Sequence, residues 1–158
     1  MDGGIYLLLG SNMDDRKSNL EEAKMQLGGV IASSSIYITA AWGNEKQPDF
    51  YNQVIKIDSR LSPQALLEDI LKVEKNIGRV RLEKWGPRII DIDILFYKAD
   101  IINTSTLTIP HPEIQNRRFA LTPLAELAPS LVHPVLKKTI VQLLEECKDP
   151  LPVKRLQH

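Results

Sequence analysis

Residues 78–97 read GRVRLEKWGPRIIDIDILFY, and the second half of this run alternates. Ile90, Ile92, Ile94 and Phe96 fall on one parity; Asp91, Asp93, Leu95 and Tyr97 fall on the other. β-branched residues at every second position predict a strand, because successive side chains on an extended backbone leave on opposite faces. Such a strand puts Asp91 and Asp93 on one face with their Cα atoms roughly 6.5–7 Å apart. Carboxylates that close repel each other unless solvent or a cation intervenes. A hard divalent cation such as Mg²⁺ suits them, since it takes oxygen ligands and keeps waters or substrate phosphates as the remainder. Two acids on one face also describe the wet side of an ordinary strand, so the pair alone decides nothing.

The first half of the run carries the opposite charge. Arg79, Arg81, Lys84 and Arg88 stand against Glu83 alone. Gly78, Gly86 and Pro87 mark a loop rather than a helix. Guanidinium forks match phosphate oxygens in a bidentate way that a scattered surface charge does not need. A basic loop by itself is commonly just a solvated loop. Joined through WGPR to a strand bearing two acids, it is what a metal–polyphosphate site requires.

The rest of the composition sets bounds. At 158 residues a single domain spanning 1–158 is expected, large enough for a proper core. The 20 basic and 20 acidic side chains cancel, so no global field favours nucleic acid or an anionic membrane. A polyanionic small molecule stays in play because the positive charge is local. Cys147 is the one cysteine and has no internal disulfide partner, and no Cys or His falls at zinc-ligand spacing. No apolar run approaches the ~18 residues of a membrane span. The N-terminus lacks a basic n-region and reads as a strand, so a cytoplasmic protein is expected.

Ile5–Leu9 is an apolar strand ended by a turn at Gly10-Ser11-Asn12. A helix is predicted over Asp14–Leu27, with Leu20, Ala23 and Leu27 on its buried stripe and Gly28-Gly29 as its stop. Val30–Ile38 reads as a strand interrupted by Ser33, Ser34 and Ser35. A loop over Thr39–Asp49 follows and holds Trp42, which either covers the core or contacts a flat ligand. Phe50–Asp58 resumes as a strand, with Tyr51, Ile55 and Ile57 on one face and Asn52 on the other. The second helix starts at an N-cap Ser62 and Pro63, buries Leu66, Ile70, Val73 and Ile77, and stops at Gly78. Glu74 lies one turn before the basic loop, where most glutamates face solvent. Short strands are expected near Ile101-Ile102 and Leu107–Ile109, and short helices over Asn116–Leu127 and Thr139–Cys147. Pro110-His111-Pro112 holds His111 on rigid, non-helical backbone, where it is structural or reaches a phosphate. The order β-α-β-β-α-β predicts an α+β protein: a ferredoxin-like antiparallel sheet covered by helices, with short C-terminal strands and helices.

Familiar glycine loops for nucleotides are absent, as is a nucleophile-elbow serine. Metal plus arginines remains, a combination that fits phosphoryl transfer, where positioning and charge neutralisation carry the catalysis.

Five segments in order then carry a resemblance: GSN at Gly10–Asn12, QPDFYN at Gln47–Asn52, GRVR at Gly78–Arg81, WGPRIIDIDIL at Trp85–Leu95, and PH followed by NRRF at Asn116–Phe119. The sequence resembles the 6-hydroxymethyl-7,8-dihydropterin pyrophosphokinase family of folate biosynthesis. The resemblance implies pyrophosphoryl transfer from ATP to the hydroxymethyl group of 6-hydroxymethyl-7,8-dihydropterin, releasing AMP, by attack at the β-phosphorus. It implies Mg²⁺ held by Asp91 and Asp93, with Arg81 and Arg88 catalytic beside them. Glu74, Arg79, Arg81, Trp85, Arg88, Ile94, Thr108, His111 and Arg117 match positions at the nucleotide. Thr39, Trp42, Phe50, Asn52, Trp85 and Phe119 match the pterin side, Asn52 by hydrogen bonding and Phe119 by stacking. The second loop departs from the family, with Ala40-Ala41-Trp42 where two prolines and a leucine are common, and Pro112 follows His111 where an aromatic is common. A monomer that binds neither nucleic acid nor membrane is expected. The competing readings are an Asp-pair nucleotidyltransferase or nuclease, and a non-catalytic ferredoxin-like sensor.

Overall fold

A computed structural model describes residues 3–40, 47–78 and 89–157. Its elements are β1 (Ile5–Ser11), α1 (Arg16–Leu27), β2 (Val30–Ser33), β3 (Tyr37–Thr39), β4 (Phe50–Ile57), α2 (Pro63–Ile77), β5 (Asp91–Tyr97), β6 (Ile102–Asn103), β7 (Thr108–Ile109), α3 (Arg118–Leu127), α4 (Ile140–Glu146) and β8 (Lys154–Arg155). A 3-10 turn, Ile114–Asn116, leads into α3.

The main sheet is antiparallel and runs β5-β1-β4-β3-β8, with β2 beside β3 on β4. Taking β2 and β3 as one broken strand, this is the ferredoxin-like order. The serines explain the break. Ser34 Oγ accepts the Val54 N–H at 3.0 Å and donates to the Ser35 carbonyl at 2.7 Å, so a side chain replaces the ladder where the strand bends. Both long helices start as their sequences require. Asp15 accepts from the Ser18 N–H at 3.0 Å, and Ser62 from Ala65 at 3.2 Å with Pro63 following.

Two cores sandwich the sheet. On one face Leu20 and Ala23 of α1 and Leu66, Ile70 and Val73 of α2 pack on Leu7, Leu9, Ile55, Ile57, Ile92 and Ile94. On the other, Ala120, Leu121 and Leu124 of α3 and Ile140 and Leu143 of α4 pack on Tyr6, Leu8, Val54, Leu95 and Phe96. Burying one such aliphatic side chain contributes about 1.5–3 kcal/mol.

Strict alternation along β5 fails at one point. The register with β1 runs Asp93 to Leu8 and Ile94 to Leu7, then jumps to Phe96 opposite Tyr6 and Tyr97 opposite Ile5. Leu95 is therefore a bulge residue, and every later side chain changes face. Phe96 joins Leu95 in the α3/α4 core, while Tyr97 joins Ile92 and Ile94 in the α1/α2 core. The bulge falls after the aspartates, whose shared face is unaffected. Gly10 and Ser11 also differ from the expected turn: both belong to β1, and Ser11 and Asn12 are fully buried.

Candidate active site

Register builds the site. Gly10 in β1 pairs with Asp91 of β5 on one side and with Asn52 of β4 on the other. Directly opposed residues point the same way, so Asp91, Gly10 and Asn52 form one row, with Asp93 on the same face. Two strand spacings put Asp91 and Asn52 about 10 Å apart. Gly10 keeps the floor between them open. A β-carbon there would lie 3.3 Å from Asn52 Oδ1 and 3.6 Å from the Phe50 ring.

The Asn52 end is buried and fixed. Asn52 Nδ2 donates to Thr39 Oγ1 at 2.8 Å, and both residues are almost fully enclosed. This leaves the amide's carbonyl oxygen toward Gly10. Phe50 shares this face, whereas its neighbour Tyr51 packs with the α1/α2 core. Of the two aromatics in QPDFYN, Phe50 lies beside the row on its face and Tyr51 does not.

The Asp91 end is partly exposed. Beneath it Glu74 is buried on α2, and its Oε2 accepts the backbone N–H of Ile92, between the two aspartates, at 2.8 Å. Glu74 therefore does not face solvent. His111 follows β7, and its N–H donates to the Leu95 carbonyl at 3.0 Å, tying the Pro-His-Pro segment to β5. Its Nδ1 accepts the Glu113 N–H at 3.1 Å, which leaves the ring proton on Nε2. Desolvation, then the positive charge of Arg117, push the His111 pKa down to about 4, only partly offset by Glu113 and Asp91. At neutral pH it is an uncharged donor. Arg117 caps the start of α3 without a side-chain cap bond, and its guanidinium carbon lies 5.7 Å over the Phe119 ring.

Ile94 lies in the α1/α2 core, so its side chain points away from the aspartate face and only its backbone is available to a ligand. Thr108 is exposed on β7. Trp42, Arg79, Arg81, Trp85 and Arg88 lie outside the described residues. One joint escaped the sequence reading. Asn12 Nδ2 donates to Gln47 Oε1 at 3.0 Å and to the Pro48 carbonyl at 3.3 Å. Arg16 Nη1 donates to the Asp49 carbonyl at 2.8 Å while the guanidinium stacks 3.9 Å over Tyr51. The GSN and QPDFYN segments thus meet through polar side chains, and their clustered Asn, Gln and Arg were the available signal.

The profile of the family described as 7,8-dihydro-6-hydroxymethylpterin-pyrophosphokinase (HPPK) matches residues 6–129. The chain belongs to this pyrophosphokinase family. A relative from Aquifex aeolicus named 2-amino-4-hydroxy-6-hydroxymethyldihydropteridine pyrophosphokinase is 43% identical over 145 residues, covering 90% of this chain and 91% of that protein. One of the same name from Methylorubrum extorquens is 40% identical over 157 residues, covering 96% and 98%. Among solved structures, wild-type Plasmodium falciparum HPPK-DHPS with pteroate superposes with a TM-score of 0.72 at 18% identity, across 90% of this chain. The chain spans 42% of that longer protein, and the likeness concerns the fold. Membership of the pyrophosphokinase family makes the chain an enzyme of folate biosynthesis and the aspartate row its candidate active site.

The donors on this face would suit a hard divalent cation. Asp91 and Asp93 offer two hard oxygen donors side by side, and no cluster of three or more His, Cys, Asp or Glu occurs among the described residues. A two-carboxylate set is what Mg²⁺ takes when phosphates and waters complete its shell.

Proposed function

We propose that this enzyme transfers the β,γ-pyrophosphoryl group of ATP to the hydroxymethyl oxygen of 6-hydroxymethyl-7,8-dihydropterin in a Mg²⁺-dependent reaction. The observation carrying this reading is the row Asp91–Gly10–Asn52, with acids at one end, a buried amide at the other and an open floor between. The alcohol oxygen forms a bond to the β-phosphorus, the bond from that phosphorus to the α,β-bridging oxygen breaks, and AMP leaves as the alcohol proton is lost.

Asn52 and Thr39 hydrogen-bond the pterin edge, while Phe50 and Phe119 offer it ring faces; Trp42 closes over it, and Trp85 borders both substrates. Asp91 and Asp93 hold the metal, which when bound supplies charge neutralisation across the phosphates. His111 donates its Nε2 proton to a phosphate oxygen without adding charge, and Arg117 adds a cation from α3. Arg79, Arg81 and Arg88 cradle the polyphosphate, with Arg81 and Arg88 stabilising charge that develops in transfer. Glu74 acts from below, by fixing the backbone between the aspartates. The nucleotide base meets Thr108 and the backbone of Ile94.

Isotope position tests the bond that breaks. With ATP labelled at the β-phosphorus, all label passes to the pterin product; with α-label, all stays in AMP. Label from the γ-position alone reaching the pterin, with ADP as co-product, would refute attack at the β-phosphorus.

A further inference from the structure

Arg117 and Phe119 flank the first residue of α3, and their directions depend on how that turn is anchored. A helix start leaves its first N–H groups without intrahelical acceptors, and a side-chain cap normally takes one. Arg117, at the N-cap, makes no such bond. The acceptor arrives from elsewhere in the chain. Asp149 Oδ2 accepts the Arg118 N–H at 3.1 Å, while its other oxygen accepts the Leu151 N–H at 3.0 Å. Arg118 returns the contact: its Nε donates to the Asp149 carbonyl at 3.1 Å and its Nη2 to the Cys147 carbonyl at 2.8 Å. Three hydrogen bonds thus tie the segment after α4 to the start of α3, and a fourth, from Leu151, holds Asp149 within its own segment. Asp149 lies beyond residues 6–129, the span the family profile matches.

We infer that Asp149 is a positioning residue, a cap supplied from the C-terminal segment that fixes the first turn of α3 and so aims Arg117 and Phe119. The inference rests on the reading that those two residues meet the nucleotide and the pterin. It has a specific consequence. One carboxylate far along the chain governs the binding of both substrates, because the side chains assigned to them stand on either side of the capped residue. Loss of the cap lets the turn fray, and each substrate must then restore it on binding. Affinity falls for both, while kcat at saturation changes little.

The test measures Kd for a non-hydrolysable ATP analogue with Mg²⁺, Kd for the pterin in the ternary complex, and the KM and kcat of turnover. Asp149→Ala raises both Kd values and both KM values about fivefold, with kcat within about twofold of wild type. Ser62→Ala, which removes the cap of α2, serves as the control for lost stability: its melting temperature falls with no change in either Kd. If Asp149→Ala does not fold, Arg118→Leu decides, since it removes both side-chain bonds that hold the Asp149 segment against the turn; it shifts both Kd values in the same direction. Equal Kd values in wild type and the folded variant, with only the melting temperature lowered, would overturn the positioning role. Failure of wild type itself to bind ATP analogue and pterin would instead refute the underlying reading of the site.

Discussion

Glu74 Oε2 accepts the backbone N–H of Ile92 at 2.8 Å, so a buried carboxylate on α2 holds the residue between Asp91 and Asp93. Among the described residues β5 is the outer strand of the sheet and Ile92 is buried, so its N–H relies on this side chain for a partner. The helix that precedes the basic segment in the chain is thereby fastened to the strand that carries the acids.

Removing that acceptor leaves a buried N–H unpaired. Glu74→Ala lowers stability by about 1–3 kcal/mol in urea unfolding and reduces turnover, whereas Glu74→Gln, which keeps an acceptor oxygen, retains most of both. Wild-type stability in Glu74→Ala would show that the bond does not matter.

The aspartates behave in the opposite sense. Asp91→Asn and Asp93→Asn each reduce turnover by about two orders of magnitude or more, while stability holds or rises slightly because a like-charge pair is relieved. Activity and thermal melts on the same samples check this; near-normal turnover in either variant contradicts the assignment.

At the other end of the row, Gly10→Ala places a methyl group 3.3 Å from Asn52 Oδ1. The amide must shift, so pterin KM rises about tenfold or more while binding of an ATP analogue is little changed. An unchanged pterin KM would mean that the floor is not where the pterin lies.

His111 gives the fold a pH dependence of known sign. Burial and Arg117 hold its pKa at about 4, below the ordinary 6.5. The unfolded chain takes up this proton below pH 6.5 while the folded one stays neutral. Its contribution is therefore complete above pH 6.5 and lost as the pH falls from there through 4. Urea titrations between pH 7 and 4 should show a shallower decline for His111→Gln than for wild type. Equal slopes would contradict the lowered pKa.

The sequence makes some of this legible and hides the rest for physical reasons. Period-two alternation put Asp91 and Asp93 on one face, and the parity of β4 placed Asn52 opposite Ile55. The bulge at Leu95 was invisible because an extra residue leaves no mark in hydrophobic composition until the partner strand is aligned. Gly10 was read as a turn residue, since a missing side chain gains meaning only when Asn52 and Asp91 flank it. Glu74 looked like a surface glutamate because its acceptor role depends on a strand eighteen positions away. β8, two charged residues at the sheet edge, carries no strand pattern at all.

AMP release measures pyrophosphate transfer at this aspartate–amide row directly. Wild-type enzyme with ATP, Mg²⁺ and 6-hydroxymethyl-7,8-dihydropterin should form AMP in equal amount to pyrophosphorylated pterin, and none when Mg²⁺ is chelated or the pterin omitted. Production of ADP in place of AMP, or turnover undiminished by chelation, would contradict it.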